Sequence, residues 1–179
     1  LTKKIVESIP DTIPSQLLNF FTQQCSELYL NWNLKDGVQP PFRQVFAGLL
    51  DLNFALLPRI YATYRGWVEG VFPDPRNSYD IIWHKKFPFM DVPNGDMLAI
   101  DPTTQAVIYL SHEDGSGHGC RLAASIAEFL ESYIALACVG PEDWQWLPFF
   151  EDGLGLNPHG INGTRWRQWF GLPGADTGA

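Results

Sequence analysis

The sequence predicts a single domain that mixes helices with antiparallel strands, and three patterns carry that prediction. Residues 97–110 read as strand, turn and returning strand, residues 13–24 and 125–139 carry apolar side chains at helical spacing, and residues 28–34 alternate as a half-buried strand does. A chain of 179 residues is of the size at which one hydrophobic core is the default. Apolar residues make up 45% of it, with seven Trp and twelve Phe, which is enough to build a core without staples and excludes global disorder.

Pro14 and Ser15 stand at the start of a helix whose apolar face is Leu17, Leu18, Phe20 and Phe21, and which ends near Gln24. From Glu27 the period changes to that of a strand, with Leu28, Leu30, Trp32 and Leu34 on one face, and Gly37 and Pro40-Pro41 close the unit. Val45 to Leu52 reads as a second strand. Phe54, Leu57, Ile60, Tyr61, Tyr64 and Trp67 then recur helically into Gly70, with Pro58 in the first turn or kinking the helix. Pro73 to Ser78 form a surface loop.

Ile81-Ile82-Trp83 and Phe87-Pro88-Phe89 each read as a strand or edge segment. Asn94-Gly95-Asp96 is a turn, and Met97 to Ile100, Asp101 to Gln105 and Ala106 to Leu110 form an antiparallel hairpin. After the polar loop His112 to Gly119, the Ser-x-x-Glu of Ser125 and Glu128 opens a helix whose Phe129, Leu130, Tyr133, Ile134 and Ala137 share a face. Gly140-Pro141 is expected to end it. The tail holds Trp144, Trp146, Trp166 and Trp169, expected to pack onto the sheet.

No segment approaches the roughly 20 apolar residues of a membrane span. The first residues, Leu1-Thr2-Lys3-Lys4, lack the apolar centre and cleavage site of a secretory leader, and Leu1 reads as a trimmed start. Cys25, Cys120 and Cys138 cannot all pair within one chain, which points to reduced thiols and a cytoplasmic setting, where the acceptor pattern Asn162-Gly163-Thr164 has no consequence. Twenty acidic against twelve basic side chains give a net charge of −8. Such a chain repels phosphate backbones and suits a basic protein partner, although surplus carboxylates also serve plain solubility.

The succession Phe87-Pro88-Phe89, Asn94-Gly95-Asp96, a strand ending in Asp101, Val107-Ile108-Tyr109, His112-Glu113 and Ser125 leading to Glu128-Phe129-Leu130 resembles the SUKH superfamily, typified by fungal cell-wall-assembly regulators and bacterial immunity proteins. The helix-then-strand of Leu17 to Leu34 fits the same pattern, and the resemblance spans most of residues 13–139. It implies an α+β fold with helices packed on one side of an antiparallel sheet, with residues 140–179 as an extension on the same single domain 1–179. It also implies protein recognition, often of a toxin by its inhibitor, with no shared catalytic set. The stretch Lys35 to Ala47 and the residues after Gly140 depart from a minimal member.

The loop His112 to Cys120 gathers two imidazoles, two carboxylates and a thiol. His112, His118 and Cys120 could ligate a transition metal for hydrolysis, and Cys120 beside His118 could be a nucleophile with its base, but the spacing matches no established zinc motif. Gly115, Gly117 and Gly119 lack the Lys of a phosphate-cradling loop. No cofactor or metal is expected. The carboxylates Asp91, Asp96, Asp101, Glu113 and Asp114, with His112, fall in loops at the ends of the hairpin and form the expected partner-binding set, an acidic edge on the protein surface, while Asp96 and Asp101 also suit the capping of their own turns. The leading function is an immunity-type inhibitor of a basic, nuclease-type toxin. The alternatives are an intracellular adaptor and, behind it, the metal-dependent hydrolase.

Overall fold

The computed structural model describes residues 2–9 and 12–172, so both ends of the 1–179 span lie outside the described residues. Helix α1 (Thr2–Glu7) precedes α2 (Ser15–Asn19), which continues as a π-helical turn over Phe20–Gln24 and stops where the sequence pattern stops. Strands β1 (Glu27–Asn33) and β2 (Ala47–Asn53) pair antiparallel as a separate ribbon. The half-buried alternation expected of this strand holds for Leu28, Trp32 and Leu34 but not for Leu30, which is 38% exposed: β1 is an edge strand, and beyond β2 its Trp32 is covered by Trp166 and Phe170.

Helix α3 (Leu57–Gly70) carries Pro58 in its first turn, where the missing N–H has no intrahelical partner to lose, and buries Leu57, Ile60, Tyr61 and Tyr64. The expected strand at Ile81-Ile82-Trp83 is instead a helical turn, α4 (Asp80–Trp83). The reason is local: the Asn77 side chain accepts from the backbone N–H groups of Tyr79 and Asp80 and starts the turn, which delivers Trp83 into a stack on Phe72 at 4.9 Å.

The main sheet is antiparallel in the order β3 (Phe87–Asp91), β4 (Met97–Ile100), β5 (Val107–Leu110) and β6 (Arg121–Ala123). The hairpin has the expected pairing, Met97 opposite Leu110 and Ile100 opposite Val107. β6, three residues long, carries too few side chains to show a period in the sequence. Every residue of β4 is 1% exposed or less, so both faces of the sheet are covered, with Phe129 against Phe89 and Trp146 against Tyr109 among the contacts. The fold is α+β.

Helix α5 (Ile126–Ala135) opens with the expected cap, Ser125 Oγ accepting from the Glu128 N–H, while the Glu128 carboxylate reaches back to the N–H of Ala124. It ends at Ala135 and not at Gly140. Ala137 and Cys138 take left-handed φ of 59° and 49°, and the released carbonyls are taken by tertiary partners. Trp166 Nε1 donates to Leu136 O, Trp32 Nε1 to Ala137 O and Leu49 N to Cys138 O, so the chain leaves the helix to run beside β2.

The tail comprises α6 (Asp143–Trp146), β7 (Phe150–Glu151), β8 (Gly155–Leu156) and α7 (Ile161–Phe170). Trp146 and Trp166 are buried in the same apolar cluster as the sheet, as expected, but Trp144 and Trp169 are 37% and 38% exposed, contrary to the core role assigned to all four. β8 runs against β6 so closely that a Cβ on Gly155, which has φ +88°, would collide with the Leu122 carbonyl.

Candidate functional site

Because β5 runs back along β4, the β3–β4 turn and the loop after β5 share one end of the sheet, and the turn 101–105 lies at the other. The five loop carboxylates therefore do not form one edge. Asp101 is at the far end, where its Oδ1 accepts from Thr103 N and Thr104 N and its Oδ2 pairs with Lys86 Nζ at 3.2 Å. Burial raises its pKa, but the backbone bonds and Lys86 outweigh it and hold the carboxyl below its usual value. Asp91 turns toward α3, with Oδ2 2.9 Å from Arg59 Nη2, and burial pushes its pKa up against that ion pair.

Asp96, expected on the surface, is 3% exposed. The turn Asn94-Gly95-Asp96 folds its carboxylate inward, where Tyr109 OH donates to Oδ2 at 2.5 Å and Asn94 Nδ2 at 2.8 Å, while the His112 N–H and Nδ1–H donate to Oδ1 at 2.8 and 2.6 Å. Burial raises the Asp96 pKa, yet these bonds to the charged form prevail and the net shift is downward. Burial, then the Asp96 carboxylate, push the Tyr109 phenol far above its ordinary range. Tyr109 OH in turn accepts from the Asp143 N–H at 3.1 Å, which fastens α6 to the hairpin.

That fastening creates a cleft of about 580 Å³ lined by Asp96, Glu113, Asp114, Glu142 and Asp143, with His112, Trp144 and smaller polar residues, and by no Lys or Arg. Glu113 and Asp114 are exposed, and Glu142 and Asp143 half-buried. The Asp143 carboxylate holds the loop, accepting from Gly117 N at 2.9 Å. Gly117 is needed for that approach, since a Cβ there would lie 2.5 Å from Asp143 Cβ. The structure thus brings Asp96, His112, Glu113 and Asp114 together, separates Asp91 and Asp101 from them, and adds Glu142 and Asp143. The only sequence signal for the last two was an acidic pair directly before Trp144.

The imidazoles of the loop do not converge. His118 stacks on Tyr79 at 3.7 Å, its Nδ1 accepts from Ser111 N and its Nε2 lies 3.1 Å from Tyr79 O, so the neutral ring is held with Nε2 as donor. Burial lowers its pKa and raises that of the Cys120 thiol, the reverse of what a thiolate with an imidazolium partner needs. Among the described residues, no three His, Cys, Asp or Glu side chains are grouped to hold a metal ion, and no helix is long and apolar enough to cross a membrane.

No family model, curated protein or solved structure matches the chain. The cleft thus gathers one buried, two half-buried and two exposed carboxylates, with the imidazole of His112 among them and no Lys or Arg in its lining, which makes its local field negative.

Proposed function

We propose that the chain is a non-catalytic protein-binding domain that docks a basic protein on this cleft, as an immunity-type inhibitor of a nucleic-acid-degrading toxin. The observation that carries the reading is the five-carboxylate lining without Lys or Arg, in a chain of net charge −8. A nuclease must present a basic surface to phosphates, and carboxylates held on a firm scaffold can occupy it in their place. The resemblance to immunity proteins supports the same reading. Complementary charge of this kind acts mainly on the association rate and weakens as salt screens it.

The test is association kinetics with the basic partner captured from the native host on immobilised protein. The triple variant Glu113→Gln, Asp114→Asn, Glu142→Gln should associate about tenfold or more slowly at about 0.1 M salt, and the gap should close toward about 1 M, where the screening length falls to about 3 Å. The captured partner should degrade nucleic acid, and the unmodified chain should stop it. A partner that binds the triple variant at an unchanged rate, or one without nuclease activity, defeats this reading and leaves an adaptor in its place.

A further inference from the structure

Phe46, immediately before β2, and Trp144, in α6, come from distant parts of the chain and meet with ring centroids 5.7 Å apart and planes at 32°. Both stay open to solvent, Phe46 at 50% and Trp144 at 37% exposure, while Trp146, two residues on, fills the core. Paired large aromatics left exposed have the character of interface anchors. Trp144 lines the acidic cleft and its Nε1–H donates to Glu142 Oε2 at 2.7 Å, which fixes the indole against a carboxylate. On the other side, Phe46 borders a second depression of about 410 Å³ whose charged residues are Lys35, Arg43 and Asp36, so that basic side chains outnumber acidic ones there. Cations are therefore drawn to the Trp144 side of the ledge in preference to the side beyond Phe46.

We propose that this aromatic ledge is the anchor for an arginine of the partner, its guanidinium laid against the Trp144 ring and forked onto the carboxylates of Glu142, Glu113 or Asp114. The inference rests on the acidic-cleft reading above and specifies its ligand. Arginine is selected over lysine because its planar cation stacks on an indole and bonds a carboxylate through two parallel N–H groups, whereas an ammonium is a strongly hydrated point charge.

The test titrates ¹⁵N-labelled full chain with an oligo-arginine peptide and an oligo-lysine peptide of equal length. The indole N–H resonance of Trp144 is identified as the one missing from Trp144→Phe. The arginine peptide should move that resonance and bind about two- to fivefold more tightly than the lysine peptide, the range of an exposed cation–π contact. Trp144→Ala and Phe46→Ala should each erase the preference. Equal affinities with a still indole resonance, both lost in the triple acidic variant, would overturn the ledge and keep the cleft. Binding of neither peptide would overturn both.

Discussion

The hydroxyl of Tyr109 donates to Asp96 at 2.5 Å and accepts from the backbone N–H of Asp143 at 3.1 Å, so one buried phenol ties the β3–β4 turn, the central hairpin and the start of α6 into one unit. The acidic cleft exists because of that tie. Tyr109→Phe keeps the ring against Trp146 but leaves a buried carboxylate oxygen and a backbone donor short of a partner. Urea unfolding should show a loss of about 1–3 kcal/mol, the usual cost of orphaned buried polar groups. Unchanged stability would mean that water or a rotated Asp96 replaces the hydroxyl.

Asp96 also sets an acid limit. Its folded pKa is depressed, so its contribution is fully present above the unfolded value of about 3.9 and is lost as the pH falls through the folded value. Asp101, likewise depressed, acts in the same window. Stability should therefore be flat across neutral pH on their account and drop below about pH 4, with a shallower drop in Asp96→Asn. Parallel acid profiles for the two proteins would contradict the assignment.

Ala137 holds a left-handed φ of 59° without being glycine. That conformation costs an L-residue about 1–2 kcal/mol, and glycine escapes it while giving back part through the freedom it adds to the unfolded chain. Ala137→Gly should raise the unfolding free energy slightly, by about 0.5 kcal/mol. Cys138→Gly, at a φ of 49° but with its thiol fully buried, should instead lower stability by loss of packing. Melting curves of the two variants compared with the parent decide the matter, and a drop for both would show that the turn is not strained.

Residues 141–179 include Trp146 and Trp166, at 1% and 0% exposure, and the indole N–H that satisfies Leu136 O. Removing them uncovers Tyr109, Trp32 and the end of α5 together. The truncated chain should aggregate or melt well below the full chain, since loss of a buried indole alone costs about 3–5 kcal/mol. A monomeric truncation with an unchanged melting temperature would make the tail an independent element.

The loop glycines show how a correct residue choice can have a different cause from the one its sequence suggests. Gly115, Gly117 and Gly119 invite the reading of positive φ, yet only Gly119, at +77°, uses it. At Gly117 the requirement is proximity to Asp143, a residue the local sequence does not contain. Trp144 and Trp146 differ likewise. Both sit in one helical turn with the same chemistry, and their positions around that turn send one to the core and the other to the rim of the cleft.

From the amino-acid order alone came the antiparallel hairpin of residues 97–110, the helix start at Ser15, the capped start at Ser125, Pro58 in a first turn and the acidic surplus, because turn chemistry, capping and periodicity act between residues only a few positions apart. The cap expected of Ser15 is absent, since Pro14 takes the N-cap position and no side chain bonds the first turn. Folding of the chain back on itself ended α5 at Ala135, drew Asp96 inward and set Glu142 and Asp143 opposite Glu113 and Asp114. Those outcomes depend on the indoles of Trp32 and Trp166 and the phenol of Tyr109 reaching polar groups remote in the sequence, where satisfying a buried donor or acceptor outweighs the local preference of the segment that supplies it.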